Sequence, residues 1–471
     1  MWRESPSLAM RRCMSATRIP HDQIPGQVRD LCRRLEAAGH GAWIVGGCIR
    51  DLLLGLTVND WDVATSARPE QVRDVFRKVI PTGIAHGTVT VLLSGNQYEV
   101  TTLRGEGAYS DGRRPDEVFF VEGIEDDLAR RDFTVNAIAY APDTDTLIDP
   151  FGGSADLASR RLRAVGVAAE RFAEDGLRIL RGARFVATLE MELEDETERA
   201  MKGALETYRK VSHERVRDEW MKAMKAKRPS RAFEVMRRVG ILEVTLPELL
   251  RQVGCEQNRW HAFPVWEHTL ATLDACPPDP VLRLAALLHD LGKPESRAHS
   301  EKTDDYTFYN HERIGARMAE HWLRDFRFSN AERQTIVGLI RNHLICYDPS
   351  WSDAAVRRFV RRVGSESIPR LVALARADAM GKGKPVDDEL SNLDELLARI
   401  AQVAAAGSAL GVTDLALRGD ALMRELGISP GPHVGVILRA LLERVLEDPN
   451  LNTREQLLAL AAEEISREPV E

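Results

Sequence analysis

The stretch from residue 46 to residue 65 constrains the fold and chemistry of this chain more than any other. It begins Gly46-Gly47-Cys48-Ile49-Arg50, directly after the β-prone run Ala42-Trp43-Ile44-Val45. Glycines that follow a strand let the backbone turn sharply and come close to a phosphate group. Arg50 stands just beyond them, where its guanidinium would neutralise that phosphate. Gly46, Gly47 and Arg50 are therefore predicted to bind phosphate.

The same stretch contains Asn59-Asp60-Trp61-Asp62, which places two carboxylates two residues apart. Residues i and i+2 of a strand point to one face, so Asp60 and Asp62 are predicted to form a site of hard oxygen ligands that suits Mg²⁺. Two such ions can stabilise both the attacking and the leaving oxygen of a phosphoryl transfer. An Asp-x-Asp alone is also typical of a solvated surface turn, but the glycines and the arginine in front of it favour the site.

A pair of β-prone runs supplies a third candidate carboxylate. Residues 88–93 and 98–103 are rich in Thr, Val and Leu, and Ser94-Gly95-Asn96 between them predicts a hairpin. Glu99 would then lie on a strand beside Asp60 and Asp62. Two hypotheses remain for it: an exposed glutamate on an edge strand, or a third metal ligand.

Together these motifs resemble the signature of polymerase-beta-like nucleotidyltransferases, in the branch that holds bacterial tRNA CCA-adding enzymes and poly(A) polymerases. Glu99 begins a segment similar to the family's Glu-x-Thr-Thr-x-Arg, which implies a metal-binding role for it. The string Arg130-Arg131-Asp132-Phe133-Thr134-Val135-Asn136-Ala137 is similar to the family's Arg-Arg-Asp-Phe-Thr-x-Asn-Ala. That likeness implies that Arg131 and Asn136 hold the sugar and phosphates of a nucleotide.

Asp175, Arg178 and Arg181 recur at intervals of three and would share one face of a helix. A ladder of ion pairs within that helix is one hypothesis. The other is base recognition: cytosine and adenine both offer an amino donor beside a ring-nitrogen acceptor, so an aspartate and an arginine can pair with either. Uracil and guanine have the opposite polarity and would leave buried groups unpaired, at roughly 1–3 kcal/mol each.

The same segment resembles the template helix of CCA-adding enzymes. The likeness implies that Asp175 and Arg178 read the base. It also implies that Arg181 and Arg184 lie near the phosphates.

A second set of possible ligands lies further along the chain. Its members, in order, are His268, His289, Asp290 and Asp378. Mixed nitrogen and oxygen donors suit a divalent transition metal. The pattern resembles the HD phosphohydrolase superfamily, which implies that these residues hold the metal. His311 and His343 are further candidates for contacting phosphate or a second metal.

The resemblance also bears on what this third region does. HD domains appended to this family resemble enzymes that hydrolyse 2′,3′-cyclic phosphates and phosphomonoesters. An inactive helical scaffold is the alternative.

Composition sets wider limits. A chain of 471 residues predicts two to four domains, and 44% hydrophobic with 29% charged residues is typical of globular proteins. No apolar run approaches the roughly 20 residues that span a membrane. The six cysteines are scattered without a Cys-x-x-Cys pair, which argues against a disulfide framework or a zinc site and predicts a location in the reducing cytoplasm.

The net charge of −8 does not indicate a nucleic-acid-binding protein, but local basic clusters carry phosphate contacts irrespective of net charge. The clusters are Arg160-Arg161-Arg163, Arg178-Arg181-Arg184, Arg209-Lys210, Lys222-Lys225-Lys227-Arg228 and Arg357-Arg358-Arg361-Arg362. Each by itself is typical of a solvated helix face. Their number leads to the hypothesis that several contact RNA.

The patterns predict an α+β fold, with an N-terminal mixed β-sheet nucleotidyltransferase head followed by an all-helical neck, HD body and tail. The predicted regions are residues 1–25 as a disordered N-terminal tail, 26–153 as the head, 154–260 as the helical neck with the base-reading helix and RNA contacts, 261–385 as the HD domain and 386–471 as a helical tail contacting tRNA. An over-long start, with Met10 or Met14 as the initiator, is the alternative for the first segment. The Gly-rich segment 105–117 is predicted to be a mobile loop, and in the family such a loop orders during the reaction.

The resemblance implies template-independent addition of C and A from CTP and ATP to the 3′ end of tRNA, with Mg²⁺ in the head and a divalent transition metal in the HD domain. Three alternatives stay open. The protein could add only A or only CC, could be a poly(A) polymerase, or could be an HD phosphohydrolase regulated by nucleotide bound at an inactive head. The presence of Asp60 and Asp62 argues against the last one.

Overall fold

Strands are concentrated in the first third of the chain, in a computed structural model that describes residues 19, 21–84, 87–106, 118–405 and 411–467. The chain divides between Pro247 and Glu248 into two units, which we call the first unit and the second unit. The predicted mobile loop of residues 105–117 falls outside the described residues, except for Gly105 and Glu106, which belong to a strand.

The strands of the first unit form one large sheet and two small ones. They are β1 Ala42–Val45, β2 Asp62–Thr65, β3 Val79–Gly83, β4 Thr88–Leu93, β5 Asn96–Thr102, β6 Arg104–Glu106, β7 Val118–Phe120, β8 Ala139–Ala141, β9 Thr146–Ile148, β10 Arg161–Leu162 and β11 Glu192–Leu193. The large sheet has seven strands in the order β3-β4-β5-β2-β1-β8-β9. It is mixed, because β2 and β5 run parallel while the other neighbours are antiparallel.

The predicted hairpin is present as β4 and β5, joined at Ser94 and Gly95. Both turn residues have positive φ, 52° and 84° respectively, as a tight hairpin turn requires. The β-prone runs and the turn residues between them thus located the hairpin correctly. A helix precedes β1 and buries Val28, Leu31, Cys32 and Leu35, which recur at helical spacing.

Helices surround the sheet and make up the rest of the first unit. They are α1 Gly26–Ala37, α2 Gly47–Leu53, α3 Pro69–Val75, α4 Ile124–Ala129, α5 Gly153–Ala158, α6 Ala168–Glu174, α7 Leu177–Thr188, α8 Asp195–Gly203, α9 Leu205–Tyr208, α10 His213–Ala223, α11 Ser230–Arg238 and α12 Ile241–Thr245. Helix α7 packs against α10 and α11. Phe185 on α7 also meets Phe133 edge to face, with ring centroids 5.8 Å apart, which fixes α7 against the motif that contains Phe133.

The second unit is helical apart from one hairpin. Its elements are α13 Val265–Ala275, α14 Pro280–Leu288, α15 Lys293–Ser296, β12 Arg297–Ser300, β13 Asp305–Phe308, α16 His311–Asp325, α17 Asn330–Asn342, α18 Asp353–Val363, α19 Ile368–Gly381, α20 Asp387–Ala405, α21 Gly419–Leu426, α22 Pro432–Glu447 and α23 Arg454–Arg467. Helix α13 packs along α19, and α14 packs against α17. These contacts bring distant histidines and aspartates to one place.

One prediction needs correction at this level. Ile19 and Ile24 are buried, so the predicted disordered tail of residues 1–25 does not extend through this part of it; the two side chains leave water for the core. On α22, Val436 is 52% exposed, because this helix buries Val434 and Ile437.

Several basic clusters turn out to hold the fold together. Arg161 and Arg163 both bind the buried carboxylate of Asp156, at 2.7 and 2.9 Å. Arg357 is buried and donates to the carbonyl oxygens of Leu446 and Glu447, at 2.7 and 2.9 Å, which ties α18 to the end of α22. These contacts give the three arginines a structural role, although half of the Arg161 side chain remains exposed to solvent.

The predicted α+β class is confirmed, with a mixed sheet near the N-terminus followed by helices. Within the described ranges, no helix has both the length and the apolar character needed to cross a membrane.

Candidate active sites

A cleft of about 920 Å³ in the first unit is lined by nearly all of the residues predicted for the head and the base-reading helix. Its lining includes Gly47, Arg50, Asp60, Asp62, Glu99, Arg131, Asn136, Asp175, Arg178, Arg181 and Arg184. Gly46 is the N-cap residue of α2, directly before Gly47 of this lining. The sequence thus predicted a set that the fold brings together from five separate stretches.

The carboxylates lie where parallel strands β2 and β5 begin to pair. Asp62 is directly opposite Glu99 in the register. Asp60 was expected on the same strand, but β2 starts only at Asp62, so Asp60 lies in the preceding loop. As a result, these residues do not place three ligand oxygens within 4.8 Å of one another among the described parts of the chain.

The charge around Asp62 suits a cation. Loss of surrounding water raises the pKa of its carboxyl group, and the negative charges of Glu99 and Asp60 raise it further, against the lowering effect of Arg131. A cation bound there would relieve the repulsion between these carboxylates. Mg²⁺ is commonly held by one or two protein carboxylates, with water and substrate phosphates completing its ligands. The residues present therefore fit Mg²⁺.

Gly46 has a geometric role that only glycine can fill. Its φ is +75°, a conformation that side-chain-bearing residues rarely adopt, and a Cβ atom there would lie 2.4 Å from Nη1 of Arg131. The guanidinium of Arg131 also donates to the carbonyl oxygen of Asn136 at 3.2 Å and to Asp127 at 3.2 Å. The glycine turn therefore makes room for an arginine at the cleft wall.

A chain of hydrogen bonds connects the arginines of the cleft. Arg50 donates to the side-chain oxygen of Asn136 at 2.7 Å, and Asn136 donates to Asp132 at 3.0 Å. Arg181 donates to the other oxygen of Asp132 at 2.7 Å. Burial opposes ionisation of Asp132, but Arg181 and Asn136 outweigh it and lower its pKa to about 2. Sequence reasoning missed Asp132, although it lies in the middle of a recognised motif.

An aromatic ring completes this wall. The guanidinium of Arg184 lies 4.0 Å from the ring centre of Phe185, and those of Arg50 and Arg181 lie 5.4 Å from it. Arg184 also donates to the buried Glu219 at 2.5 Å. Attraction between a cation and an aromatic face adds to the ion pairs that hold these side chains, Arg50 with Asp51, Arg181 with Asp132 and Arg184 with Glu219. The ring therefore helps to fix three guanidinium groups at the cleft wall.

The predicted base-reading helix differs from expectation. Asp175 does not lie on α7, because α6 ends before it and α7 begins at Leu177. Its carboxylate accepts from the Leu177 amide at 2.9 Å and from both terminal nitrogens of Arg215, at 3.2 and 2.6 Å. Arg215 comes from α10 and was missed, since nothing in the sequence links it to a residue forty positions earlier.

Arg178 has partners of its own. It donates to the carbonyl oxygens of Arg171 and Arg130, at 2.9 and 3.1 Å, and pairs with Glu174. Asp175 and Arg178 are thus positioned separately rather than as one ion pair. Both line the cleft.

The second unit holds a cavity of about 380 Å³ with histidines and aspartates at its base. Nε2 of His268 lies 3.0 Å from Asp378 and 3.4 Å from Asp290, and Nε2 of His289 lies 3.2 Å from Asp290. His311 and His343 approach the same Asp290 from the other side, at 3.5 and 3.9 Å. The structure therefore brings together all of the residues predicted for the HD region.

Three of these histidines are oriented in the same way. Nδ1 of His289, His311 and His343 each lies 2.7 Å from the carbonyl oxygen three residues earlier. Donation from Nδ1 to a carbonyl leaves Nε2 unprotonated and able to bind a metal. Loss of surrounding water lowers the pKa of His343 to about 3, so this ring is neutral.

The donor set fits a divalent metal. The Nε2 atoms approach in pairs, His268 with His289 at 3.3 Å and His311 with His343 at 3.2 Å. Neither oxygen of the fully buried Asp290 has a hydrogen bond of good geometry among the described residues, although Nζ of Lys293 lies 2.6 Å away. Two groups of three, His268-His289-Asp378 and His289-Asp290-His343, keep their ligand atoms within 4.8 Å.

Lys293 and His261 were not predicted for this site. His261 lies on the rim of the cavity, with its ring 5.0 Å from that of His268. Lys293 follows Asp290 by three residues, across the turn between α14 and α15, and its Nζ lies 2.6 Å from Asp290.

Three family descriptions match successive parts of the chain. Residues 42–163 match the poly A polymerase head domain, residues 190–252 match a probable RNA- and SrmB-binding site of polymerase A, and residues 265–381 match the HD domain. A CCA-adding enzyme of Lactobacillus delbrueckii is 34% identical over 432 residues, which are 91% of this chain and 96% of the relative. The chain belongs to the CCA-adding enzyme family.

Other members of the CCA-adding enzyme family match over different lengths. The CCA-adding enzyme of Listeria monocytogenes is 48% identical over 237 residues, which cover 50% of this chain and 59% of the relative. The CCA-adding enzyme of Bacillus stearothermophilus, solved in complex with CTP, superposes with a TM-score of 0.70 at 27% identity and covers 95% of this chain and 98% of that one. Head and HD domains together indicate that this member uses divalent metal ions.

Proposed function

We propose that this protein adds C and A nucleotides, from CTP and ATP, to the 3′ end of tRNA without a nucleic-acid template. The observation that carries the proposal is one cleft that combines the Asp62–Glu99 pair, a wall of arginines and the Asp175–Arg215 pair. The Asp62–Glu99 pair and the arginines suit a nucleoside triphosphate. The Asp175–Arg215 pair offers polar groups at a fixed position to a base. The CCA-adding relatives support the same activity.

The reaction joins the 3′-hydroxyl oxygen of tRNA to the α-phosphorus of the nucleotide and breaks the bond to pyrophosphate, and the hydroxyl proton is lost. Arg50, Arg131 and Arg181 would orient the triphosphate and balance its charge, which is the main contribution a protein makes to phosphoryl transfer. Mg²⁺ held by Asp60 and Asp62 would lower the pKa of the 3′-hydroxyl and stabilise the leaving group, with Glu99 assisting.

Asp175 and Arg178 would select the base. Asp175 accepts from an exocyclic amino group while Arg178 donates to the adjacent ring nitrogen. Arg215 holds Asp175 in place through two hydrogen bonds. Gly46, Gly47 and Asn136 would shape the part of the site that holds the sugar and phosphates, and Arg184 would add charge near the phosphates.

The test is incorporation of each of the four labelled nucleoside triphosphates into tRNA transcripts that lack part or all of the CCA end. We expect CTP and ATP to be used and UTP and GTP to be rejected by at least about tenfold, since each mismatched base leaves buried groups unpaired. Equal use of all four would refute base selection by this cleft.

Specialists that add only A or only CC, and poly(A) polymerases, remain alternatives within this proposal. A poly(A) polymerase would not need a site that accepts cytosine. Maturation of tRNA also leads us to propose a cytoplasmic location.

A second activity is favoured by the histidine arrangement of the second unit: hydrolysis of 2′,3′-cyclic phosphates or phosphomonoesters. Hydrolysis adds the oxygen of water to phosphorus, breaks one bond between phosphorus and a ribose oxygen, and leaves that oxygen protonated. We propose that His268, His289, Asp290 and Asp378 would hold a divalent transition metal, and that His311 and His343 would help to hold a second ion. The bound metal would supply positive charge at the phosphate and activate water.

The position of Lys293 supports this second activity. Its ammonium group lies at the cavity wall, 2.6 Å from Asp290, where it would attract a phosphate. Release of inorganic phosphate or opening of a cyclic phosphate, assayed with Mg²⁺, Mn²⁺, Ni²⁺ or Co²⁺, tests it. A purified protein that hydrolyses none of these substrates with any of the ions would favour the inactive scaffold.

A further inference from the structure

Helices α16 and α17 enclose a groove on the second unit that neither proposed activity uses. We call it the α16–α17 groove. It has a volume of about 530 Å³, and its lining includes Arg317 and Arg324 from α16 and Gly338 and Arg341 from α17. Among the described residues, none lines both this groove and the cavity that holds the histidines. The groove therefore needs an explanation of its own.

The three arginines are spread along the groove. The two helices pack along each other, and His311 at the start of α16 meets His343 just after α17, with their Nε2 atoms 3.2 Å apart, so the helices are antiparallel. Arg317 and Arg324 lie two turns apart on α16, roughly 10 Å along its axis. Arg341, near the end of α17, extends the row toward the start of α16. A row of this length matches a chain of anionic groups better than a single anion.

The charge of these arginines is not balanced by carboxylates. The side chains of Arg317 and Arg341 are exposed, and neither has an ion pair or a hydrogen bond with any residue that the structure describes. Arg324 is exposed too, and it donates to Nδ1 of His321 at 2.9 Å, a ring nitrogen that carries no negative charge. Three guanidinium groups are therefore available to an anion in solution.

The rest of the lining is small or already paired. Glu320 also lines the groove, but its carboxylate lies 3.7 Å from Nε of Arg333. Among the described lining residues the largest apolar side chain is that of Val337. A Cβ atom at Gly338 would have no other atom within 4 Å, so the groove is open at this point. A ligand can therefore come close to the helices but finds little apolar surface to cover.

This combination favours a nucleic-acid strand over a protein. A protein partner gains most of its binding energy from large side chains that fill pockets at the centre of the contact. Guanidinium groups, in contrast, present paired N–H donors that match the oxygens of a phosphate. Contacts between arginine and the repeated phosphates of a strand supply affinity without any apolar pocket.

We propose that the α16–α17 groove binds the phosphate backbone of RNA, with Arg317, Arg324 and Arg341 each contacting a phosphate. The inference rests on the proposed function in one respect, since tRNA is the RNA that nucleotide addition brings to this protein. The predicted RNA contacts lie in residues 154–260 and 386–471, so the groove is an additional surface on the second unit. Phosphate contacts carry no sequence information, and the groove therefore adds affinity without a base preference.

The test measures binding of a tRNA transcript that ends before CCA to the full-length protein, without nucleotide, over a series of salt concentrations. Replacement of all three arginines, Arg317→Ala with Arg324→Ala and Arg341→Ala, should raise the Kd by about tenfold or more at about 0.1 M salt. It should also reduce the slope of log K against log salt by about two to three, because each lost phosphate contact removes about one. The KM for tRNA should rise with the Kd, while the KM for CTP stays unchanged.

Two controls separate charge from structure. Lysine at all three positions should keep most of the salt slope, because an ammonium group also neutralises a phosphate. Arg370→Ala removes a positive charge from the same unit that is already paired with Asp279 at 2.8 Å, and should leave the Kd close to wild type. The melting temperature of every variant should stay close to wild type, since the three groove arginines are exposed.

The outcomes distinguish this inference from the proposed function. Unchanged tRNA affinity and an unchanged salt slope in the triple alanine variant would overturn the inference, and continued addition of CCA would leave the proposed function intact. Arginine-dependent binding of tRNA by a protein that adds no nucleotide would support the inference and refute only the function. Unchanged RNA binding together with loss of a co-purifying protein would overturn the inference in favour of a protein partner.

Discussion

The guanidinium of Arg215 holds the carboxylate of Asp175 through two hydrogen bonds, 3.2 and 2.6 Å long. The pair joins the segment between α6 and α7 to helix α10. Asp175 also caps the first turn of α7 by accepting from Leu177 at 2.9 Å. A proposed base-reading carboxylate is therefore fixed from two sides, and its orientation depends on a residue that does not itself read the base.

Removal of Arg215 should relax base selection. We expect Arg215→Ala to lower the preference for CTP over UTP, measured as the ratio of kcat/KM values, by about tenfold, because the freed Asp175 can turn away from the amino group of cytosine. Arg217→Ala is the matched control, since Arg217 lies on the same helix and pairs with its neighbour Asp218. An unchanged CTP preference in Arg215→Ala would mean that the pair only stabilises the fold.

Loss of either aspartate of the Asp-x-Asp motif should abolish nucleotide transfer. Asp60→Ala and Asp62→Ala are expected to reduce kcat by about a thousandfold or more, because each removes charge that stabilises the transferring phosphoryl group. Circular dichroism and the melting temperature should stay close to wild type, since both side chains reach solvent at the cleft. Incorporation of CMP at the wild-type rate by either variant would refute the metal assignment.

Asp132 should make stability depend on pH. Its pKa falls from an ordinary value near 3.9 in the unfolded chain to about 2 in the folded protein. This shift contributes about 2 to 3 kcal/mol to the free energy of unfolding at neutral pH. Because the folded pKa is the lower one, this stabilisation is complete above about pH 5 and is lost as the pH falls toward 2. Asp132→Asn should therefore melt below wild type at pH 7, and the gap should narrow at pH 3. An equal difference in melting temperature between the two proteins at pH 7 and pH 3 would contradict a stabilising role of the ionised Asp132.

Replacement of Asp290 should impair metal binding and hydrolysis in the second unit without affecting nucleotide addition. We expect Asp290→Asn to lose bound transition metal, measured by elemental analysis per chain, together with hydrolysis of cyclic phosphates, because this carboxylate lies between the two histidine pairs. Addition of C and A to tRNA should persist. His299→Ala changes a half-exposed histidine of the same unit and should leave the metal content unchanged. Full metal occupancy in Asp290→Asn would disprove the proposed ligand set.

The sequence predicted contiguous motifs well. Gly46, Arg131 and Asn136 were recognised because each lies in a contiguous sequence motif. In the structure these residues lie side by side at the cleft. The histidines of the HD region were predicted because their order along the chain resembles that of the HD phosphohydrolase superfamily.

Contacts between distant segments could not be predicted. The Arg215–Asp175 pair and the Arg357 contacts with α22 depend on how helices pack, which single-sequence periodicity does not specify. Asp175 was predicted to lie on the same helix as Arg178 and Arg181 because the three residues recur at intervals of three, close to the helical period. The helix begins two residues later, since the Asp175 side chain caps its first turn.

The most direct measurement uses three tRNA transcripts, ending before CCA, after CC and after CCA, each incubated with labelled CTP or ATP and Mg²⁺. The account predicts addition of CCA to the first, A to the second and nothing to the third. Adenylation of the second transcript alone would identify an enzyme that adds only A. Arrest after addition of CC to the first transcript would identify an enzyme that adds only CC. Long A tails on any RNA, or no incorporation at all, would contradict the account.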